Sequence, residues 1–234
     1  MNKHKPQLIV ALDVDTFDKA RDLIGLLKDD VDIFKVGSQM FTAYGPEIVH
    51  CVREAGKKVF LDLKFHDIPN TVANAVREAV KLNVFMCTLH ISGGEQMLKR
   101  AAAAASQSAE INRVIRPLLV GITVLTSEQK QGSICELVLQ KANLAKMCKL
   151  DGVVASAQEA PLIRQKLGDK FIIVTPGIRP KGSSPHDQQR ITTPAQAIQN
   201  GCDFLVVGRP IIEADDPLDA TKAILREIQE TNNL

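Results

Sequence analysis

Lys57-Lys58-Val59-Phe60-Leu61-Asp62-Leu63-Lys64-Phe65-His66-Asp67-Ile68-Pro69-Asn70-Thr71 is the stretch on which the reading of this chain turns. An apolar run rises to a charged end, the chain turns, and apolar residues at helical spacing follow over 71–82. Residues 57–64 therefore predict a strand, and the unit is strand, polar turn, helix. Side chains on a strand repeat every two residues, so Asp62 and Lys64 share a face, with Asp67 just past the strand end. Two carboxylates and an ammonium are costly to bury unless they neutralise one another. A structural salt bridge needs only one pair. The pattern Asp-x-Lys-x-x-Asp is weak by itself, and a solvated loop end is its plain alternative.

The same rhythm runs outward in both directions. Strand patterns fall at 7–14, 31–37, 84–91, 114–124, 151–155, 170–175 and 204–207. Helical spacing falls between them at 17–27, 38–55, 95–108, 134–148, 159–167, 195–200 and 218–230. The alanine run 101–105 suits a helix, alanine being the best helix former. No shift in composition marks a boundary, so residues 1–234 are expected to form one domain. Strands alternating with helices at this length predict an α/β fold, a single (β/α)8 TIM barrel, with an open doubly wound sheet as the runner-up.

Composition narrows the function classes. The 234 residues are 45% hydrophobic and 24% charged, with a net charge of +2. That balance argues against a nucleic-acid sleeve or a polybasic membrane surface. With no Trp and one Tyr, a stacking platform for single strands is not expected. Apolar runs fall far short of a membrane span, and the basic start precedes only five apolar residues (8–12), too few for a secretory signal. Cys51, Cys87, Cys135, Cys148 and Cys202 are scattered, with no Cys-x-x-Cys pair. They predict reduced thiols in a cytoplasmic protein rather than a disulfide frame or zinc site.

In a barrel of this kind the active site lies at the C-terminal ends of the strands. Asp13, Lys35, Asp62 and Lys64 fall there on the first three strands. Thr126-Ser127 follow the fifth, Arg179 the seventh, and Gly208-Arg209 the eighth. Each has a plainer reading. Asp13 can cap the first helix with Asp15 and Thr16, and Thr126-Ser127 with Glu128 can be a helix N-cap. Lys35 can snorkel outward, although its parity with Val31 and Ile33 points it inward. His66 has no second His at metal-ligand spacing. Asp203 reads as structural, and Arg190 as solvated on the long Gly-, Pro- and Ser-rich stretch 176–194. Barrels often grip phosphate between the last two loops. Gly208 lets backbone N–H groups approach an anion and Arg209 can clamp two oxygens, with Gly177, Arg179, Lys181 and Gly182 adding to the same face.

Six segments together resemble the orotidine 5′-phosphate decarboxylase family, in its compact, single-function bacterial type. They are Val31-Asp32-Ile33-Phe34-Lys35-Val36-Gly37, Asp62 through Thr71 as quoted above, Leu125-Thr126-Ser127, Pro176-Gly177-Ile178-Arg179, Asp187-Gln188-Gln189-Arg190 and Val207-Gly208-Arg209-Pro210. The resemblance runs from Leu8 into the final helix and implies conversion of orotidine 5′-monophosphate to UMP, the last step of de novo pyrimidine synthesis, without metal or organic cofactor. It implies a homodimer in which Lys35, Asp62 and Lys64 meet Asp67 of the neighbouring subunit, with Thr71 beside it. By the same resemblance Lys64 is the proton donor, Asp13 and Lys35 hold the ribose, and Thr126 and Ser127 contact the pyrimidine. Gln188, Gly208 and Arg209 hold the phosphate, with Arg179 nearby. Two other readings stay open: a sugar-phosphate decarboxylase or aldolase of the same superfamily, which uses Mg2+, and a non-catalytic barrel that binds pyrimidine nucleotides.

Overall fold

Eight short runs rich in Val, Ile, Leu and Phe form the strands: β1 (Gln7–Ala11), β2 (Ile33–Gly37), β3 (Lys58–Phe65), β4 (Met86–His90), β5 (Leu118–Ile122), β6 (Gly152–Val154), β7 (Ile172–Thr175) and β8 (Phe204–Val207). The computed structural model describes residues 6–124, 134–180 and 192–232. All strand pairs are parallel, each strand lies beside its sequence neighbours, and β8 pairs with β1, closing a TIM barrel. Parallel pairing demands a crossover after each strand. Helices α1 (Phe17–Leu27), α2 (Ser38–Tyr44), α3 (Pro46–Glu54), α4 (Pro69–Lys81), α5 (Gly94–Asn112), α6 (Ile134–Met147), α7 (Ala160–Leu167), α8 (Pro194–Gln199), α9 (Arg209–Ile212) and α10 (Pro217–Asn232) supply it. Among the described residues no helix is long and apolar enough to cross a membrane.

The two-residue period of the strands sorts side chains into two cores. Ile9, Ala11, Ile33, Phe60, Met86, Val120, Val174 and Val206 fill the barrel interior. The alternate residues, such as Val10, Phe34, Leu61, Cys87 and Leu205, pack outward against the helices. One pleat above Ile33, Phe60 and Met86, the next inward positions are Lys35, Asp62 and Thr88, and all three are buried. The interior therefore changes from apolar to polar toward the C-terminal end of the strands.

Several boundaries differ from those the pattern predicts. Strand β1 stops at Ala11, so Asp13 lies two residues beyond it rather than on it. Val31 precedes β2 and joins the outer core, while Ile33 and Lys35 do face inward. The helix predicted over 38–55 is two helices. Gly45 takes a left-handed φ of 55° and Pro46 opens α3, a position where its missing N–H is not needed. Helix α4 starts at Pro69, which puts Thr71 in its first turn. The long predictions for β4 and β5 shrink to five residues each, trimmed at both ends, with Ile91 opening a 3-10 turn after β4.

Candidate active site

Lys35 and Asp62 come from adjacent strands, β2 pairing with β3 so that Gly37 lies opposite Asp62. Lys35 Nζ donates to both carboxylate oxygens of Asp13, at 2.9 and 3.2 Å. It also lies 3.8 Å from Asp62 Oδ2. Lys64 Nζ donates to that same oxygen at 2.8 Å. The result is a line of alternating charge, Asp13–Lys35–Asp62–Lys64, in which each ion has an opposite neighbour. Burial is graded along it: side-chain exposure is 10% for Lys35 and 12% for Asp62, against 48% for Asp13 and 38% for Lys64. Mutual neutralisation is what makes the two deep charges tolerable. The N-cap of α1 is Thr16, whose hydroxyl accepts from Lys19 N, so Asp13 is left for Lys35. Lys35 does not snorkel outward.

Strand β3 reaches this geometry through an irregularity. Its register with β4 pairs Leu61 with Cys87 and then jumps to Phe65 with Leu89. Lys64 sits inside the jump with a left-handed φ of 52°. Such a conformation is uncommon outside glycine and concentrates at functional sites. A bulge of this kind re-aims a side chain, here the Lys64 ammonium, toward Asp62.

Beside the array lies a cavity of about 160 Å³. Lys35, Asp62 and Lys64 line one side; Ile122, Val124, Val154, Val174 and Val206 line the other. A ligand fitting both halves is apolar on one side and polar or charged on the other. A wider cleft of about 450 Å³ is lined by Asp13, Asp15, Lys19, Asp22 and Glu213 among others. It lacks a buried counter-ion like Lys35.

The remaining expected residues divide. Gly208 caps α9 at the top of β8, and a Cβ there would lie 3.5 Å from Ala11 Cβ and 4.0 Å from Asp13 Oδ2. It thus borders the array, and Arg209 follows it as the first residue of α9. Arg179 is buried, and its Nη1 donates to the Ile178 carbonyl. Asp67 is not brought to the array: it is exposed, and its Oδ1 accepts from Ile68 N at 2.6 Å. Thr71 is likewise exposed on α4, and Ile68 between them is 68% exposed. Thr126, Ser127 and Gln188, with Arg190, lie outside the described residues. Asp203 is structural, as read from sequence; it accepts from Arg164 Nη2 and, at 2.7 Å, from Ile173 N. The His66 and His90 rings stack at 5.2 Å. Among the described residues no three His, Cys, Asp or Glu side chains gather as metal ligands do.

Two residues escaped the sequence reading. Thr88 contacts both Asp62 and Lys64, and its inward parity with Met86 was the available signal. Gly37 makes room for the first ion pair. A Cβ there would meet Lys35 Nζ at 2.9 Å and Asp13 Oδ1 at 3.0 Å.

Comparison with known proteins matches residues 6–224 to the family described as Orotidine 5'-phosphate decarboxylase / HUMPS family. A protein named orotidine 5'-phosphate decarboxylase from Moorella thermoacetica is 45% identical, with 96% of this chain and 93% of that protein aligned. One of the same name from Vibrio cholerae is 47% identical, covering 97% and 98%. The crystal structure of orotidine 5'-phosphate decarboxylase from Lactobacillus acidophilus superposes with a TM-score of 0.83 at 35% identity, over 95% of this chain and 99% of that one.

Proposed function

The chain belongs to the orotidine 5'-phosphate decarboxylase / HUMPS family, and on that premise we infer that it decarboxylates orotidine 5′-monophosphate to UMP in pyrimidine biosynthesis. The observation that carries this reading is the Lys35–Asp62–Lys64 array facing an apolar wall across one small cavity. A pyrimidine ring matches the apolar wall, and the carbon that loses CO2 belongs on the charged side.

Cleavage of the C6–carboxylate bond leaves its electron pair in the ring plane, where the π-system cannot delocalise it. Lys64 answers that charge twice. As a fixed cation about 3–4 Å away it is worth roughly 4 kcal/mol at an effective dielectric of 20. As an acid it gives its proton to C6, forming the C–H bond of UMP while CO2 departs. Asp62 holds the ammonium in line, which the 2.8 Å contact supports. Because Lys64 supplies both charge and proton, the reaction needs no metal or organic cofactor.

Asp13 and Lys35, already paired, suit two adjacent ribose hydroxyls. Gly208 and Arg209, with Gln188 and nearby Arg179, hold the phosphate, and Thr126 and Ser127 the pyrimidine edge. Gripping the non-reacting phosphate yields binding energy that helps assemble the charged site. Asp67 and Thr71 act in the site of a second subunit. Their exposure, and the exposed Ile68 between them, support a homodimer whose interface covers this turn. Five unpaired thiols support a reducing, cytoplasmic setting. The test is the fall in ultraviolet absorbance when purified protein meets orotidine 5′-monophosphate with EDTA present. Turnover supports the reading; UMP binding without turnover, or activity only when Mg2+ is restored, overturns it.

A further inference from the structure

We propose that Thr88 is a positioning residue of this site, acting on the reaction through both Asp62 and Lys64. Between Leu61↔Cys87 and Phe65↔Leu89, strand β3 has three residues where β4 has only Thr88. The regular ladder cannot serve that interval, and Thr88 supplies the hydrogen bonds instead. Its hydroxyl accepts from Lys64 N at 2.8 Å and donates to Asp62 Oδ1 at 3.0 Å. The side chain is fully buried, so no water competes for either bond.

The consequence is directional. A hydroxyl has one proton, and here it goes to Asp62. That fixes Oδ1 and turns Oδ2 toward Lys64 Nζ and Lys35 Nζ. The accepted bond pins the left-handed Lys64 backbone from which the ammonium projects. One side chain thus sets the direction of the carboxylate and the origin of the ammonium. A threonine kept only for strand propensity needs its methyl and not its oxygen.

This inference rests on the decarboxylase reading, and steady-state kinetics with orotidine 5′-monophosphate separates the two. Thr88→Val keeps the shape and removes both bonds. Its kcat falls about 100-fold, as expected for a reacting group displaced by an ångström, while KM and the calorimetric affinity for UMP hold. Thr88→Ser keeps the hydroxyl and recovers kcat. If Thr88→Val does not fold, Thr88→Cys, of similar size with a weak donor, takes its place with the same expectation of lowered kcat. A Thr88→Val or Thr88→Cys enzyme with wild-type kcat, a Thr88→Ser enzyme as slow as Thr88→Val, or a loss confined to KM overturns the inference alone. Wild-type protein without turnover removes it together with the reading beneath it.

Discussion

Asp62→Asn is the sharpest perturbation of the charge array, because it removes one charge and almost no volume. Asp62 Oδ2 lies 2.8 Å from Lys64 Nζ and 3.8 Å from Lys35 Nζ. At an effective dielectric of 20 those separations correspond to gross attractions of about 6 and 4 kcal/mol. Most of that offsets the cost of taking the ions out of water, and the partly exposed Lys64 is further screened. The part that appears in catalysis is the misdirection of Lys64. An asparagine keeping its oxygen on Thr88 turns its NH2 toward two ammonium groups, donor against donor. Losing one preorganised group costs roughly 100- to 1000-fold in kcat, or about 3–4 kcal/mol. The fold loses less, about 1–2 kcal/mol, since Lys35 keeps Asp13 and Lys64 turns to solvent. Initial rates by absorbance and a urea titration measure the two quantities. KM adds a diagnosis: it falls with kcat if Asp62 crowds the substrate carboxylate, and stays level if Asp62 only positions Lys64. A folded Asp62→Asn enzyme with wild-type kcat would refute the reasoning.

Gly37→Ala brings a methyl within 2.9 Å of Lys35 Nζ and 3.0 Å of Asp13 Oδ1. Both are side-chain ends that can move, so the melting temperature holds while kcat/KM drops about tenfold from the displaced pair. Gly208→Ala meets nothing closer than 3.5 Å, so it folds normally. Its methyl stands where phosphate must approach the backbone N–H, so UMP affinity falls about 10- to 100-fold by calorimetry, the worth of one charge-assisted bond, with uridine binding unchanged. Mixing Asp67→Asn with Lys64→Ala protein restores part of the activity neither has alone; no recovery after verified subunit exchange removes the shared site. Burial pushes the Cys87 thiol up to about 12 and Cys202 to about 11, from an ordinary 9.0. Unfolding lets both ionise earlier, so their contribution is intact below pH 9 and is lost as pH rises through 11 and 12. The urea-derived stability falls by about 1.4 kcal/mol per pH unit per thiol in that window, and Cys87→Ala removes one thiol's share.

Much of this was legible in sequence, and for a definite reason. Parity along apolar strands places Lys35 and Asp62 inward whatever the exact strand ends are, so errors of up to three residues in β1 or β4 do no harm. Asp62 and Lys64 meet as their spacing implies, although the left-handed Lys64 is a detail no periodicity encodes. The break at Gly45-Pro46 was written in the residues, but apolar spacing continues across it and masks the signal. Thr88 hid because a β-branched residue in a strand is ordinary; only its contact with a bulge on the next strand gives its oxygen a task. Gly37 hid for the complementary reason, its importance being the space it leaves. Asp67 and Thr71 are assigned across an interface by resemblance alone, since no parity or spacing rule points there.

The left-handed backbone at Lys64 has a consequence for anyone engineering this barrel. A non-glycine residue held there pays about 1–2 kcal/mol. Selection for heat tolerance alone would therefore drift toward glycine at this codon, gaining robustness while discarding the ammonium proposed as proton donor. Durability and turnover compete at one position, so a library screened only for survival would enrich well-folded, inert barrels.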